Sequence, residues 1–183
     1  IFDWDDTLLC TSFISRLGHQ DRPFETSRRL RVVASSVRKL LKKARALGQT
    51  LIVTNAEEGW VQHSSRLYLP KALPELDGLP IISARSRFEP HFPDDTASWK
   101  THAFLELGKQ LDTSRVTNLV SLGDSFCEVL AVHALGQRFA ESVVKTVRFK
   151  SAPTPDELQD QLDVTSNILE RVVLSASSLD IVL

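Results

Sequence analysis

Short apolar runs that end on polar residues recur along this chain, and stretches of helical spacing separate them. The clearest is Leu51-Ile52-Val53-Thr54, apolar until its last residue, as a strand buried on both faces should be. Ile81 to Ala84, Val116 to Leu122 and Val143 to Phe149 repeat the type, and a stub at Ile1 to Trp4 opens the series. Between the first two, Val33, Val37, Leu40, Leu41, Ala44 and Leu47 fall at helical spacing over residues 29 to 47, with Gly48 as the stop.

Helical pattern returns from Glu57 to Leu69 before Pro70 and Pro74 break it, and again from Ala97 to Leu111 with Thr96 as N-cap. It recurs after Ser125 as far as Leu135. A capping box with proline at the first helical position, Thr154-Pro155-Asp156-Glu157, starts a final helix expected to cover one edge of the sheet. This alternation marks βαβ units. The expected fold is α/β, a Rossmann-like three-layer sandwich with a five-stranded, mostly parallel sheet.

The 183 residues suit one domain spanning 1–183. The chain begins at Ile1 and contains no Met, which suggests a piece of a longer chain with its first strand trimmed. Lys and Arg total 22 against 23 Asp and Glu, so no global field draws the protein to a membrane surface, and nucleic acid is a disfavoured partner, though still open. Eight basic residues from Arg28 to Arg45 read as the solvated face of an amphipathic helix in preference to a polyanion-binding surface. Cys10 and Cys127 lack zinc or disulfide spacing and point to reduced thiols in an intracellular, cytoplasmic setting. No apolar run approaches the ~20 residues that span a bilayer.

The chemistry-bearing residues gather at the strand ends. Asp3 and Asp5, two apart in an extended segment, project to the same side, and Thr7 continues the spacing. Two carboxylates on an apolar strand end repel unless a cation or a catalytic partner offsets them. Thr54 and Asn55 follow the second apolar run, and Gly123-Asp124-Ser125 follows the fourth, with Glu128 one helical turn on. Ligands of open α/β sheets bind outside the carboxyl ends of the strands. Lys100, with Lys109 as a rival, supplies a positive charge. Such a set suits phosphoryl transfer, and magnesium is the cation that prefers these hard oxygens.

These residues resemble the four motifs of the haloacid dehalogenase superfamily of phosphohydrolases, in order and over residues 3 to 128. Asp3-Trp4-Asp5-Asp6-Thr7 matches the first, Thr54 the second, Lys100 the third, and the acidic pair Asp124 and Glu128 the fourth. The resemblance implies a Mg-dependent phosphatase in which Asp3 is the nucleophile and Asp5 the general acid and base. It implies that Thr54, Asn55 and Lys100 hold the phosphoryl group. It also implies that magnesium sits on Asp3, Asp124 and the carbonyl of Asp5, with Thr7, Ser125 and Glu128 in support.

Members of that superfamily often carry a cap domain, but the stretch from Leu8 to Arg28 is long enough only for a flap. An uncapped site is expected to take a phosphate on a protein or other macromolecule. Two other functions stay in view: a phosphotransferase, and a non-catalytic phosphate-sensing or scaffold domain. Trp60 and Trp99 read as packing residues, and Arg85 and His91 as weak candidates for substrate contact.

Overall fold

The computed structural model of the chain describes residues 1–17, 24–111 and 118–183. In order its elements are α1 (Thr11–Arg16), α2 (Phe24–Leu47), β1 (Ile52–Thr54), α3 (Trp60–Tyr68), a 3-10 turn (Pro70–Ala72), α4 (Leu73–Leu76), β2 (Ile81–Ser83), α5 (Ala84–Phe88), α6 (Thr96–Gly108), β3 (Asn118–Gly123), α7 (Phe126–Gly136), β4 (Val143–Arg148), α8 (Pro155–Leu174) and β5 (Leu179–Val182). The α/β class and the helix-strand alternation hold. Residues 116–117 of the expected fourth strand, and residues 18–23 of the expected flap, lie outside the described residues. Among the described residues no helix is long and apolar enough to cross a membrane.

The strands pair in parallel, but they do not form the single five-stranded sheet that the sequence predicts. β1 pairs with β2, while β3, β4 and β5 form a separate set of three in that order. Residues 1–3 run between the two sets and join them through isolated bridges from Phe2 to Ile52 and to Leu122. Phe2 N donates to Leu51 O and Phe2 O accepts from Val53 N, both at 2.9 Å, while Asp3 N donates to Leu122 O at 2.8 Å. The segment stays this short because the carbonyl of Trp4 is drawn into the next turn. It accepts from the N–H groups of Leu8 and Leu9 at 2.9 and 3.0 Å.

The strand that sequence reading missed, β5, comes from the serine-rich tail, and a buried lysine accounts for it. Lys145 on β4 is wholly buried. Its ammonium donates to Val173 O at 2.8 Å, to Ser175 O at 2.6 Å and to Asn118 Oδ1, which uses all three protons. Val173 and Ser175 lie at the C-terminal end of α8, where helix carbonyls lack partners and the dipole favours a cation. The helix end is thereby tied to β4, and the chain turns so that Leu179 falls opposite Lys145.

Alternate strand residues feed two cores. Ile52, Leu122 and Val147 face the core shared with α2, α3 and α8; Leu51, Val53, Leu119 and Val144 face the one shared with α6 and α7. Helices therefore cover both faces. α8 lies on a face beside α2, not over the sheet edge as expected: Lys43 Nζ donates to Ser166 O at 2.9 Å, and Arg29 pairs with Asp156 at 2.5 Å. The edge belongs to β5.

α2 starts at Phe24, five residues before the expected position, and buries Leu30, Val33, Val37, Leu40 and Leu41. Each such side chain contributes about 1.5–3 kcal/mol on burial. Its basic residues lie on the other face, with Arg28 and Arg29 near Glu25, Arg38 near Glu75, and Lys43 near Glu170. The N-cap of α6 is Asp95, not Thr96, because the Asp95 carboxylate accepts from Ser98 N at 3.2 Å.

Candidate active site

Asp3 is the first residue past the bridging segment, so its carboxylate emerges at the carboxyl end of the strands. It is 5% exposed. Oδ1 accepts from Lys100 Nζ at 2.6 Å, and Oδ2 accepts from the Thr7 hydroxyl at 3.3 Å. Lys100 arrives from α6, itself buried, and its ammonium also meets Glu128 Oε1. Burial alone would lower the Lys100 ammonium, but the Asp3 and Glu128 carboxylates hold it above the usual lysine value. Burial pushes the Asp3 carboxyl up, with Lys100 pulling it back. The rival, Lys109, caps the far end of α6 and is exposed.

Glu128 is set by α7. Ser125 caps that helix through Cys127 N at 3.1 Å, and Glu128 Oε2 accepts from Ser125 N at 2.9 Å. One oxygen of Glu128 thus closes the helix start and the other holds Lys100, which casts Glu128 and Ser125 as supports. Glycine at position 123 gives Glu128 its room. A Cβ there would lie 2.4 Å from Glu128 Cγ and 2.8 Å from its Oε2.

Asp124 follows directly. Its carbonyl accepts from the Ser151 hydroxyl at 3.0 Å. Burial, and then the charges of Asp3 and Glu128, push the Asp124 carboxyl up to about 7. Two carboxylates, Asp3 and Glu128, therefore share the Lys100 ammonium, and Asp124 adds a third negative charge beside them. Such a surplus fits a divalent cation with hard oxygen ligands. Among the described residues no three Asp, Glu, His or Cys side chains group to hold a metal. A cation held by Asp3 and Asp124 would take its other ligands from backbone oxygen and water, as magnesium does when it keeps part of its hydration shell.

Asp5 stands in a different environment. Its Oδ1 accepts from the Thr11 hydroxyl at 2.6 Å and the Trp60 indole at 2.9 Å, and its Oδ2 from the Thr54 hydroxyl at 3.3 Å. All three donors are neutral. Burial raises the Asp5 carboxyl above its ordinary value, against the pull of the Thr11 and Trp60 hydrogen bonds. The turn that follows is anchored by Asp6, which takes a positive φ of 56° and accepts from Ser12 N at 2.9 Å. A short polar side chain tolerates that backbone.

The structure brings Asp3, Asp5, Thr7, Thr54, Lys100, Asp124, Ser125 and Glu128 to one end of the strands. Thr54 is held by Ala56 N at 3.0 Å. Asn55 turns partly aside: its Nδ2 donates to Thr96 O at 3.1 Å, while its Oδ1 is buried with no partner among the described residues. Arg85 is engaged by Glu89 and Glu57, and His91 is exposed beside Phe92. Trp99 packs as expected, donating to Phe92 O at 2.7 Å. Trp60 does more than pack, and its bond to Asp5 went unread because the partner of an indole N–H fifty-five residues away leaves no local trace. Thr11 was missed as well, and Gly123 was read as part of the fourth motif without its role in making room for Glu128. For Thr11 a signal existed, a hydroxyl six positions after Asp5 in the turn the acidic motif opens.

A cavity of about 540 Å³ opens at the other ends of the strands, lined by Ile1, Thr50, Leu51, Asn118 and Leu119 among others, and none of its lining residues belongs to this site. Compared with protein-family models, curated proteins and solved structures, the chain matches none.

Proposed function

We propose that the chain is a magnesium-dependent phosphomonoester hydrolase of the haloacid dehalogenase type, built on a Rossmann-like three-layer frame and acting through an aspartyl-phosphate. The observation that carries this is the division between two neighbouring carboxylates. Asp3 rests against an ammonium at 2.6 Å, as a nucleophile kept ionised requires. Asp5 has, among the described residues, only neutral donors, which favour its charged form less than an ammonium does, as a proton donor requires.

An Asp3 oxygen bonds to phosphorus while the ester P–O bond breaks, and Asp5 gives its proton to the departing oxygen. Water then attacks the phosphorus of the aspartyl-phosphate, Asp5 takes its proton, and the Asp3–phosphorus link opens to release inorganic phosphate. Lys100 and the Thr54 hydroxyl offset charge on the phosphoryl oxygens. Asp3, Asp124 and the Asp5 carbonyl would hold magnesium, which supplies further charge neutralisation on those oxygens.

An open site supports a phosphate carried on a macromolecule. Among the described residues, those after Thr54 are built into the two cores: Val61, Leu69 and Leu76 in one, Ala84 and Phe104 in the other. They do not form a separate body over the carboxylates.

Hydrolysis of p-nitrophenyl phosphate, with magnesium and with EDTA, tests the assignment. Turnover should require the metal and fall by about 10²–10⁴ in Asp5→Asn, and by at least as much in Asp3→Asn. Undiminished activity in Asp3→Asn refutes the nucleophile. A marked preference for small sugar phosphates over phosphopeptides would sink the open-site argument.

A further inference from the structure

The two oxygens of Asp5 are held unequally. Oδ1 accepts two short bonds, from Thr11 Oγ1 at 2.6 Å and Trp60 Nε1 at 2.9 Å, whereas among the described residues Oδ2 has only the Thr54 hydroxyl at 3.3 Å. An indole N–H donates and never accepts. Oδ1 carries both short bonds, one of them from an indole that cannot turn to accept, so a proton on Asp5 favours the more loosely held Oδ2. Thr54, a hydroxyl, can turn to accept it.

The chain places Trp60 with care. Gly59 adopts φ 86°, a left-handed backbone that favours glycine, and turns the chain into α3 with Trp60 at its first position. Trp60 N is fixed to Glu57 O at 3.1 Å, and the ring is half-buried against the core.

Resting on the phosphatase reading of the site, we propose that Trp60 is a positioning residue for Asp5: its indole, with the Thr11 hydroxyl, pins Oδ1 and presents Oδ2 as the atom that delivers the proton. As the Asp3 oxygen bonds to phosphorus and the ester bond breaks, the Oδ2 proton passes to the departing oxygen. The resulting carboxylate keeps both donors on Oδ1 and faces the next water with Oδ2. Because the indole cannot accept, the proton is not diverted to the residue that holds Asp5.

A poor leaving group needs that proton more than a good one does. Trp60→Phe keeps an aromatic ring and removes the donor. Its kcat/KM should fall about tenfold on phenyl phosphate, the worth of one hydrogen bond to a charged group, and about twofold on p-nitrophenyl phosphate. Equal losses on the two esters, or no loss on either, overturn the proposal. The contact is also read without turnover. Of the three indole N–H resonances expected from the three tryptophans, the one that disappears in Trp60→Phe should move in Asp5→Asn. If it does not move, the proposal falls. A wild type inert toward both esters with magnesium, yet showing the coupled resonance, overturns the phosphatase reading and proton delivery with it, and leaves only a structural contact.

Discussion

Replacing Lys100 with methionine removes the ammonium that pairs with Asp3 and Glu128 while keeping most of the buried stem. Both carboxylate side chains are 5% exposed and that of Lys100 is 4% exposed, so neither acid can turn to water. Deleting one partner of a buried ion pair costs about 3–5 kcal/mol, which for a chain of this size is a fall in Tm of about 6–20 °C.

The cost has a pH signature. In the wild type the Lys100 ammonium is held above its ordinary value, so its contribution is fully present throughout the neutral range and is lost only in strong alkali. In Lys100→Met the stranded Asp3 carboxyl, already raised by burial, loses the charge that pulls it back, so the folded state takes up a proton that the unfolded state releases. The deficit should therefore shrink, by up to about 4 kcal/mol for one proton, between pH 8 and pH 5. Urea denaturation of both proteins at the two pH values, without metal, measures it. An equal deficit at both, or one below about 1 kcal/mol at pH 8, refutes the view that Lys100 is the counter-charge of this cluster.

Gly123→Ala drives a Cβ into Glu128, whose carboxylate is pinned by Lys100 and Ser125 N. The loss should be about 1–3 kcal/mol by urea denaturation, and adding Glu128→Ala should recover part of it. Asp124 gives a second pH test. Its folded value of about 7 lies above the unfolded one, so without metal stability should decline as pH rises from about 4 to about 7. Asp124→Asn should flatten that decline, and an unchanged slope contradicts the assignment.

Most of the site was legible because its residues follow short apolar runs, and a strand end fixes where a polar side chain emerges. Asp3, Thr54 and Asp124 were placed in that way. The sheet was harder. A stub of three paired residues cannot announce that it joins two strand sets, since its pairing depends on Leu51 and Leu122, far along the chain. β5 was hidden for a related reason. Lys145 drew no reading within the run Val143 to Phe149, and it is the carbonyls at the end of α8 that make it a buried tie. Likewise Trp60 reads as a core aromatic until the carboxylate that takes its N–H is in place. What escaped in each case is a long-range polar contact, which no local period encodes.

The segment that joins the two strand sets sets an order of assembly. β1 follows it about fifty residues later in the chain, but its other neighbour, Val120, is 119 positions away. At about 5–20 residues per second a ribosome needs about 6–24 s to make that stretch. Through that interval Phe2 and β1 present an unpaired edge, the kind of surface that recruits other chains. The segment around Phe2 thus needs shelter until the strand that holds Val120 has been made.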